Sequence, residues 1–420
     1  MIRPPRPLTM NPNYLAVVRG VRELHRLSVA GKDDSPEADA IRDATDGPWE
    51  SLSEVERRRV RNLSEDLYSL VESPPITQPK NPQVQAKLSE ALEARQRGEW
   101  DRALDLLRRW RANIDPALLS HVRGSIWREA GDPATAVLFY EHAANLEPDN
   151  GNYQAMFLDV LNITEPGAAR KRAEEILQRH QQFSPDAVSR AADITFMSAR
   201  TSTEAEAIDV FKRLEPILGS TLDRIKQDER NELDHLSCVT ILALLGFGNE
   251  FLGKTQSAVA FYSQALQIEP DNDALLVARG RLLYGTSALA IKDLEMARDL
   301  GSSLIWPYVF LAHHNLQSGS FDDCRKLCER VLNMNGSAAV MSEVSEWMAI
   351  AQAELGFPVE IVHASFENAI RFDSSNDRAR GNLEKFKAAS KPVTVDVFEV
   401  RTAGSLRNSG LAEQRFLTAA

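Results

Sequence analysis

Along most of the chain apolar residues recur at intervals of three and four, the spacing that lines one face of an α-helix rather than the alternation of a strand. Tyr14, Val17, Val18, Val21, Leu24 and Leu27 predict a first helix over residues 14–30, ended by Gly31. Ser35-Pro36-Glu37 then reads as an N-cap with proline in the first turn, and Gly47-Pro48 as the stop of that second helix. Ser53 and Glu56 form a capping box that opens a third helix, running to about Val71. Residues 1–72 therefore read as a small helical N-terminal unit that could act as a separate interaction module. Four prolines within Ser73–Gln83 stop helix and sheet alike, so 73–83 is expected to be an extended linker.

From residue 84 a longer period overlies the helical one. Gly124, Gly131, Ala136, Tyr140, Ala143 and Pro148 are matched in offset by Gly246, Gly253, Ala258, Tyr262, Ala265 and Pro270, down to the closing phrases LEPDN (146–150) and IEPDN (268–272). A small residue inside a first helix lets a second helix approach closely. An alanine in the second returns the favour, the aromatic four positions on fills the remaining gap on that face, and proline closes the unit. Weaker copies fall into phase at Ala103, Ala173, Ala207, Ala290, Cys324 and Val362. With Ala136 and Ala258 they make eight helix hairpins, spaced 32 to 38 residues apart except for one interval of 51 between Ala207 and Ala258.

This pattern resembles the tetratricopeptide repeat (TPR) family, whose unit is a 34-residue helix-turn-helix with small, aromatic and proline residues at fixed offsets. The resemblance implies an all-α fold, a right-handed α-solenoid of about eight hairpins over 84–375, with the first helices lining a concave surface that binds a peptide or partner protein. The long interval is expected to hold lengthened helices or an inserted loop, with Pro216-Ile217-Leu218-Gly219 breaking a helix before the charged stretch 223–234. Residues 376–390 suit a helix capping the open end of the stack. Beyond it, Val393–Val400 alternates like a short strand, but a loosely held tail over 391–420 is the favoured expectation.

Composition narrows the function. Lys plus Arg total 49 against 60 Asp plus Glu, a net charge of −11, and the one basic run of the N-terminal unit, Arg57–Arg61, is flanked by Glu54, Glu56, Glu65 and Asp66, as on a solvated helix face. A clustered positive footprint for nucleic acid is missing. No run is long and apolar enough for a signal peptide or a membrane span, and three cysteines do not make a disulfide framework, so a cytoplasmic protein is expected.

Two segments invite chemistry. Gly248–Thr255 satisfies the phosphate-cradling pattern of two glycines followed by Lys254 and Thr255, which makes a nucleotide-binding protein the alternative reading. The repeat register accounts for the same residues without it, Gly246 as the close-packing glycine and Gly253 as the turn glycine. Cys324 and Cys328, with His313 and His314 in the preceding helix, offer four nominal zinc ligands, yet the cysteines stand where the register places core residues. No catalytic residues, cofactor or metal are therefore expected. The first-helix face turned away from the second helices gives the expected partner-binding groove: His121, Arg128, Phe196, Phe247, Glu250, Arg281, Tyr284 and His313. A Lys, Asn and Arg clamp for a C-terminal carboxylate, known in some relatives with such repeats, is not found there.

Overall fold

The structure, a computed structural model, describes residues 11–71, 82–227, 234–388 and 398–407. It divides into two compact units, Met1–Ser237 and Cys238–Ala420. Among the described residues the regular structure is helical, with no strand.

The first unit opens with α1 (Pro12–Val29), α2 (Pro36–Glu50) and α3 (Glu54–Tyr68). Four hairpins follow: α4 (Pro82–Gln96) with α5 (Trp100–Arg109), α6 (Pro116–Glu129) with α7 (Pro133–Leu146), α8 (Gly151–Thr164) with α9 (Pro166–Gln178), and α10 (Pro185–Ser202) with α11 (Glu204–Gln227). Helix starts are written locally. Asp115, Asp132, Asn150 and Ser184 each accept a hydrogen bond from the amide three residues on, three of them followed by proline, whose missing N–H costs nothing in a first turn.

The three N-terminal helices do not stand apart. Tyr14, Val17, Val18, Val60, Leu63 and Leu67 belong to one buried cluster with Trp100, Leu104, Ile126 and Trp127. Charged pairs reinforce the seat: Arg59 with Asp101, Arg22 with Asp132, and Asp66 with both Arg108 and Arg123. The expected linker lies almost wholly outside the described residues.

Two expected helix breaks are absent. α2 continues through Pro48 to Glu50, where Trp49 packs against the core. α11 runs through Pro216 for 24 residues. An interior proline costs about 3 kcal/mol, but the stripe Phe211, Leu214, Leu218 and Leu222 continues across it and is buried throughout, which offsets that cost. The surplus of the long interval is thus partly a lengthened helix, as one of the two expectations had it; residues 228–233 lie outside the described residues.

The second unit contains α12 (Asp234–Phe251), which begins just before the division, with α13 (Thr255–Ile268), then α14 (Asp273–Leu283) with α15 (Leu289–Asp299), α16 (Trp306–Gln317) with α17 (Phe321–Leu332), and α18 (Ala338–Glu354) with α19 (Val359–Phe372). α20 (Asp377–Ala388) packs on α19 where the capping helix is expected, and α21 (Ala403–Arg407) is a single turn. The eight hairpins match those read from the period. Their anchors Ala103, Ala136, Ala173, Ala207, Ala258, Ala290, Cys324 and Val362 all sit in second helices at 0% exposure.

The close approach has a direct measure. A Cβ on Gly124 would lie 3.1 Å from the Tyr140 ring, and one on Gly246 would lie 2.3 Å from the Tyr262 ring. Gly131 and Gly253 turn their hairpins at φ of 88° and 69°, the left-handed region that glycine alone enters freely.

Candidate partner-binding groove

Within the first unit the expected groove residues divide. His121 on α6 is half-buried, its ring 4.8 Å from Tyr153 and 5.5 Å from Tyr140. Burial first, then the positive charges of Arg95 and Arg128, push its pKa down to about 4. Arg128, two turns on, is exposed. Phe196 is not a groove residue: it is 1% exposed and packs against Phe211, 5.9 Å between ring centroids.

In the second unit the correction is larger. Phe247 is buried edge-on against Tyr262, as the register of the hairpin requires. Glu250 and Arg281, on successive first helices, form an ion pair with each other, and the Tyr262 hydroxyl donates to Glu250 at 2.5 Å. These two charges therefore tie α12 to α14 rather than facing solvent freely. Tyr284 and His313 are buried, and the ring nitrogen Nδ1 of His313 lies 2.7 Å from the Tyr284 hydroxyl. Helical periodicity identifies the face turned away from the second helix, but not what the neighbouring repeats, or another part of the chain, lay over it.

What covers His313 is residues 398–407. Its Nε2 lies 2.6 Å from the Arg401 carbonyl, and Gln317 Nε2 donates to the same oxygen at 3.3 Å. A carbonyl only accepts, so Nε2 carries the proton and Nδ1 accepts from Tyr284. Burial dominates in pushing the His313 pKa down to about 4, which keeps the ring neutral. Farther along, Asn382 on α20 reads the main chain of Glu399 in both senses. Its Oδ1 accepts from the Glu399 amide at 2.8 Å and its Nδ2 donates to the Glu399 carbonyl at 2.9 Å.

Side chains of the segment are held as well. Phe398 is buried with its ring 5.8 Å from Phe366, which also packs on Phe386. Arg401 donates to Glu343 on α18 at 2.5 Å, and Arg378 bridges Glu343 to the fully buried Glu346. Ala403 sits on Gly285, where a Cβ would come within 2.7 Å of it, and Leu406 is buried. The segment thus crosses α20, α18, α16 and the end of α14. This corrects the expectation of a loosely held tail for residues 398–407, and residues 398–400 form no strand. The other strand positions, 393–397, lie outside the described residues.

The remaining chemical candidates resolve into packing. Gly248–Phe251 complete α12. The amides of Leu252, Gly253 and Lys254 donate to the carbonyls of Gly248, Glu250 and Asn249 at 2.9 to 3.2 Å, so the groups that would cradle a phosphate close the helix end instead. Lys254 is exposed in the turn. The Cys324 and Cys328 sulfurs lie 3.9 Å apart in the core, where burial pushes the Cys328 thiol up. Among the described residues no group of three or more His, Cys, Asp or Glu is arranged to hold a metal, and no helix is long and apolar enough to cross a membrane.

No protein-family profile matches the sequence, and no curated protein matches it. The chain is similar to solved structures at low identity. The C-terminal part of a TPR repeat-containing protein from Cytophaga hutchinsonii is 11% identical, with 70% of this chain and 98% of that one covered at a TM-score of 0.34. A tetratricopeptide repeat protein from Parabacteroides merdae is 13% identical, with 74% and 100% covered at 0.32. Yeast Tom70 is 14% identical, with 75% and 82% covered at 0.29. The fold itself rests on the hairpins, their glycine turns and the anchors buried in every second helix. The fold is one of TPR-like helix hairpins.

In this fold the residues that sequence reasoning missed are Asn382, Glu343, Gln317 and Gly285. Asn382 left a faint signal: a weak helix former in the interior of a short polar helix, here at 0% exposure. Glu343 and Gln317 look like any other polar positions on first helices until their partner 58 or 84 residues away is in place.

Proposed function

We propose that the chain is a non-catalytic protein–protein interaction scaffold that holds an extended peptide, or an extended segment of a partner protein, against the first helices of its hairpins. The observation that carries this reading is the hold of His313 and Gln317, on the first helix α16, on the Arg401 carbonyl, continued by the double hydrogen bond between Asn382 of the capping helix α20 and the main chain of Glu399. Main-chain bonds of this kind hold any extended strand of residues, while pockets for individual side chains supply specificity. A net charge of −11 favours a protein partner over nucleic acid, and three free cysteines suit a reducing, cytoplasmic setting. The test is site-specific photocrosslinking in source cells from a photoreactive residue at Arg128, exposed on α6. The scaffold reading expects one or a few discrete protein adducts, lost when the probe is moved to a second helix; no adduct at Arg128 or at other first-helix positions contradicts it.

A further inference from the structure

The second unit contains a groove already filled by its own chain, and the groups that fill it define what else could. Four features of the seat are independent of the segment's covalent connection. Asn382 needs an extended main chain with an amide and a carbonyl on the same residue. One residue before that clamp, Phe398 occupies an aromatic pocket against Phe366. Among the described residues Glu343 and Glu346 share Arg378, and Arg401 brings a second cation to Glu343. Gly285, lacking a side chain, lets Ala403 approach closely: a Cβ on Gly285 would lie 2.7 Å from the Ala403 Cβ.

Removing the segment would leave Glu343, Asn382 and His313 without these partners in a partly desolvated face, which is costly for each. The groove therefore favours being occupied. Glu399 is exposed and meets Asn382 through its main chain, so its side chain is free to vary in another occupant.

Resting on the scaffold reading above, we propose that residues 398–407 are a built-in competitor, and that the external ligand of this groove is an extended peptide presenting an aromatic residue, an arginine three positions later and a small residue two positions after that. Phe398, Arg401 and Ala403 are the chain's own version of the three. The self-segment follows the end of α20 by ten positions, and a covalently tethered occupant competes at an effective concentration on the order of millimolar. The affinity seen by a free peptide is reduced by the fraction of chains whose groove is closed. A partner must then carry the same three features and add contacts elsewhere, or meet a chain whose tail has been loosened.

The experiment uses the full chain and a fluorescent synthetic peptide spanning residues 396–407, with binding read by anisotropy. Wild type is expected to bind weakly. The tail variant Phe398→Ala/Arg401→Glu, with its groove intact, is expected to bind at least about 10-fold more tightly. Adding Asn382→Ala to that variant should abolish the gain, and a peptide with glutamate in place of its arginine should not bind. The single variant Arg401→Glu, which keeps the Phe398 anchor, should show an intermediate gain, and circular dichroism checks that each variant is folded. If the folded tail variants bind the peptide no better than wild type, or bind it equally without Asn382, the segment is a fixed structural cap and the inference is overturned. In that event adducts from Arg128 would still leave the scaffold reading standing, so the two failures are distinguishable.

Discussion

Arg123 on α6 donates to Asp66 on α3 at 2.7 Å, and both side chains are essentially removed from solvent. Asp66 also accepts from Arg108 of α5, so one carboxylate binds the N-terminal helices to the first two hairpins. Burial pushes the Asp66 carboxyl above its usual range in spite of its two arginines, a sign of how strongly desolvation acts there. Breaking such a pair leaves an unbalanced buried charge. Arg123→Ala should destabilise the 1–237 unit by about 3–5 kcal/mol, measured by chemical denaturation, whereas Arg26→Ala, which removes an exposed partner of Glu165, should cost less than about 1 kcal/mol. Equal effects would show that the buried pair is not what seats the N-terminal helices.

The two close-packing glycines make a graded prediction. Alanine is the better helix former by about 1 kcal/mol, but a Cβ at Gly246 meets a rigid tyrosine ring at 2.3 Å, while at Gly124 the contact is 3.1 Å. Gly246→Ala should therefore destabilise its unit by about 1–3 kcal/mol and Gly124→Ala by distinctly less. Guanidinium melts of the two variants check the order, and a reversed order would contradict the hairpin geometry.

Acid should loosen the second unit through His313. Its folded pKa is depressed to about 4 from an ordinary 6.5, so the unfolded chain takes up the proton first as pH falls. The contribution is fully present above about pH 6.5 and is lost as pH drops towards 4, amounting to about 2 kcal/mol between pH 7 and pH 5. Melting temperature against pH measures it. His313→Asn should flatten that slope, and an unchanged slope would remove His313 from the account.

Lys254 offers a test of the alternative chemistry. Since the amides around it close α12, Lys254→Ala should change stability by less than about 0.5 kcal/mol, and calorimetric titration with magnesium and ATP should give no heat of binding for either protein. Saturable binding abolished by the substitution would restore a nucleotide site.

The fold was legible because its determinants are local and periodic. Tyr140 and Tyr262 need a glycine at one fixed offset, and Cys324 and Val362 take the place of alanine without disturbing the face they share. The groove was legible only as a face. Phe196 and Phe247 lie on first helices as the period says, yet neighbouring side chains bury them, and no helical period records that. Glu250 and Arg281 found each other across 31 residues, and His313 found a carbonyl 88 residues downstream. The persistence of α11 through Pro216 likewise depends on tertiary burial that a local rule for proline does not contain.

The central claim is that first helices of this chain, together with the capping helix α20, grip the main chain of residues 398–402, and hydrogen exchange of the full protein over residues 398–407 tests it most directly. The Glu399 amide, donating to Asn382, should exchange at least about 10-fold more slowly than an unstructured peptide of the same sequence, and Asn382→Ala should restore the fast rate. Fast exchange of that amide in the unaltered protein, indifferent to Asn382, would contradict the account.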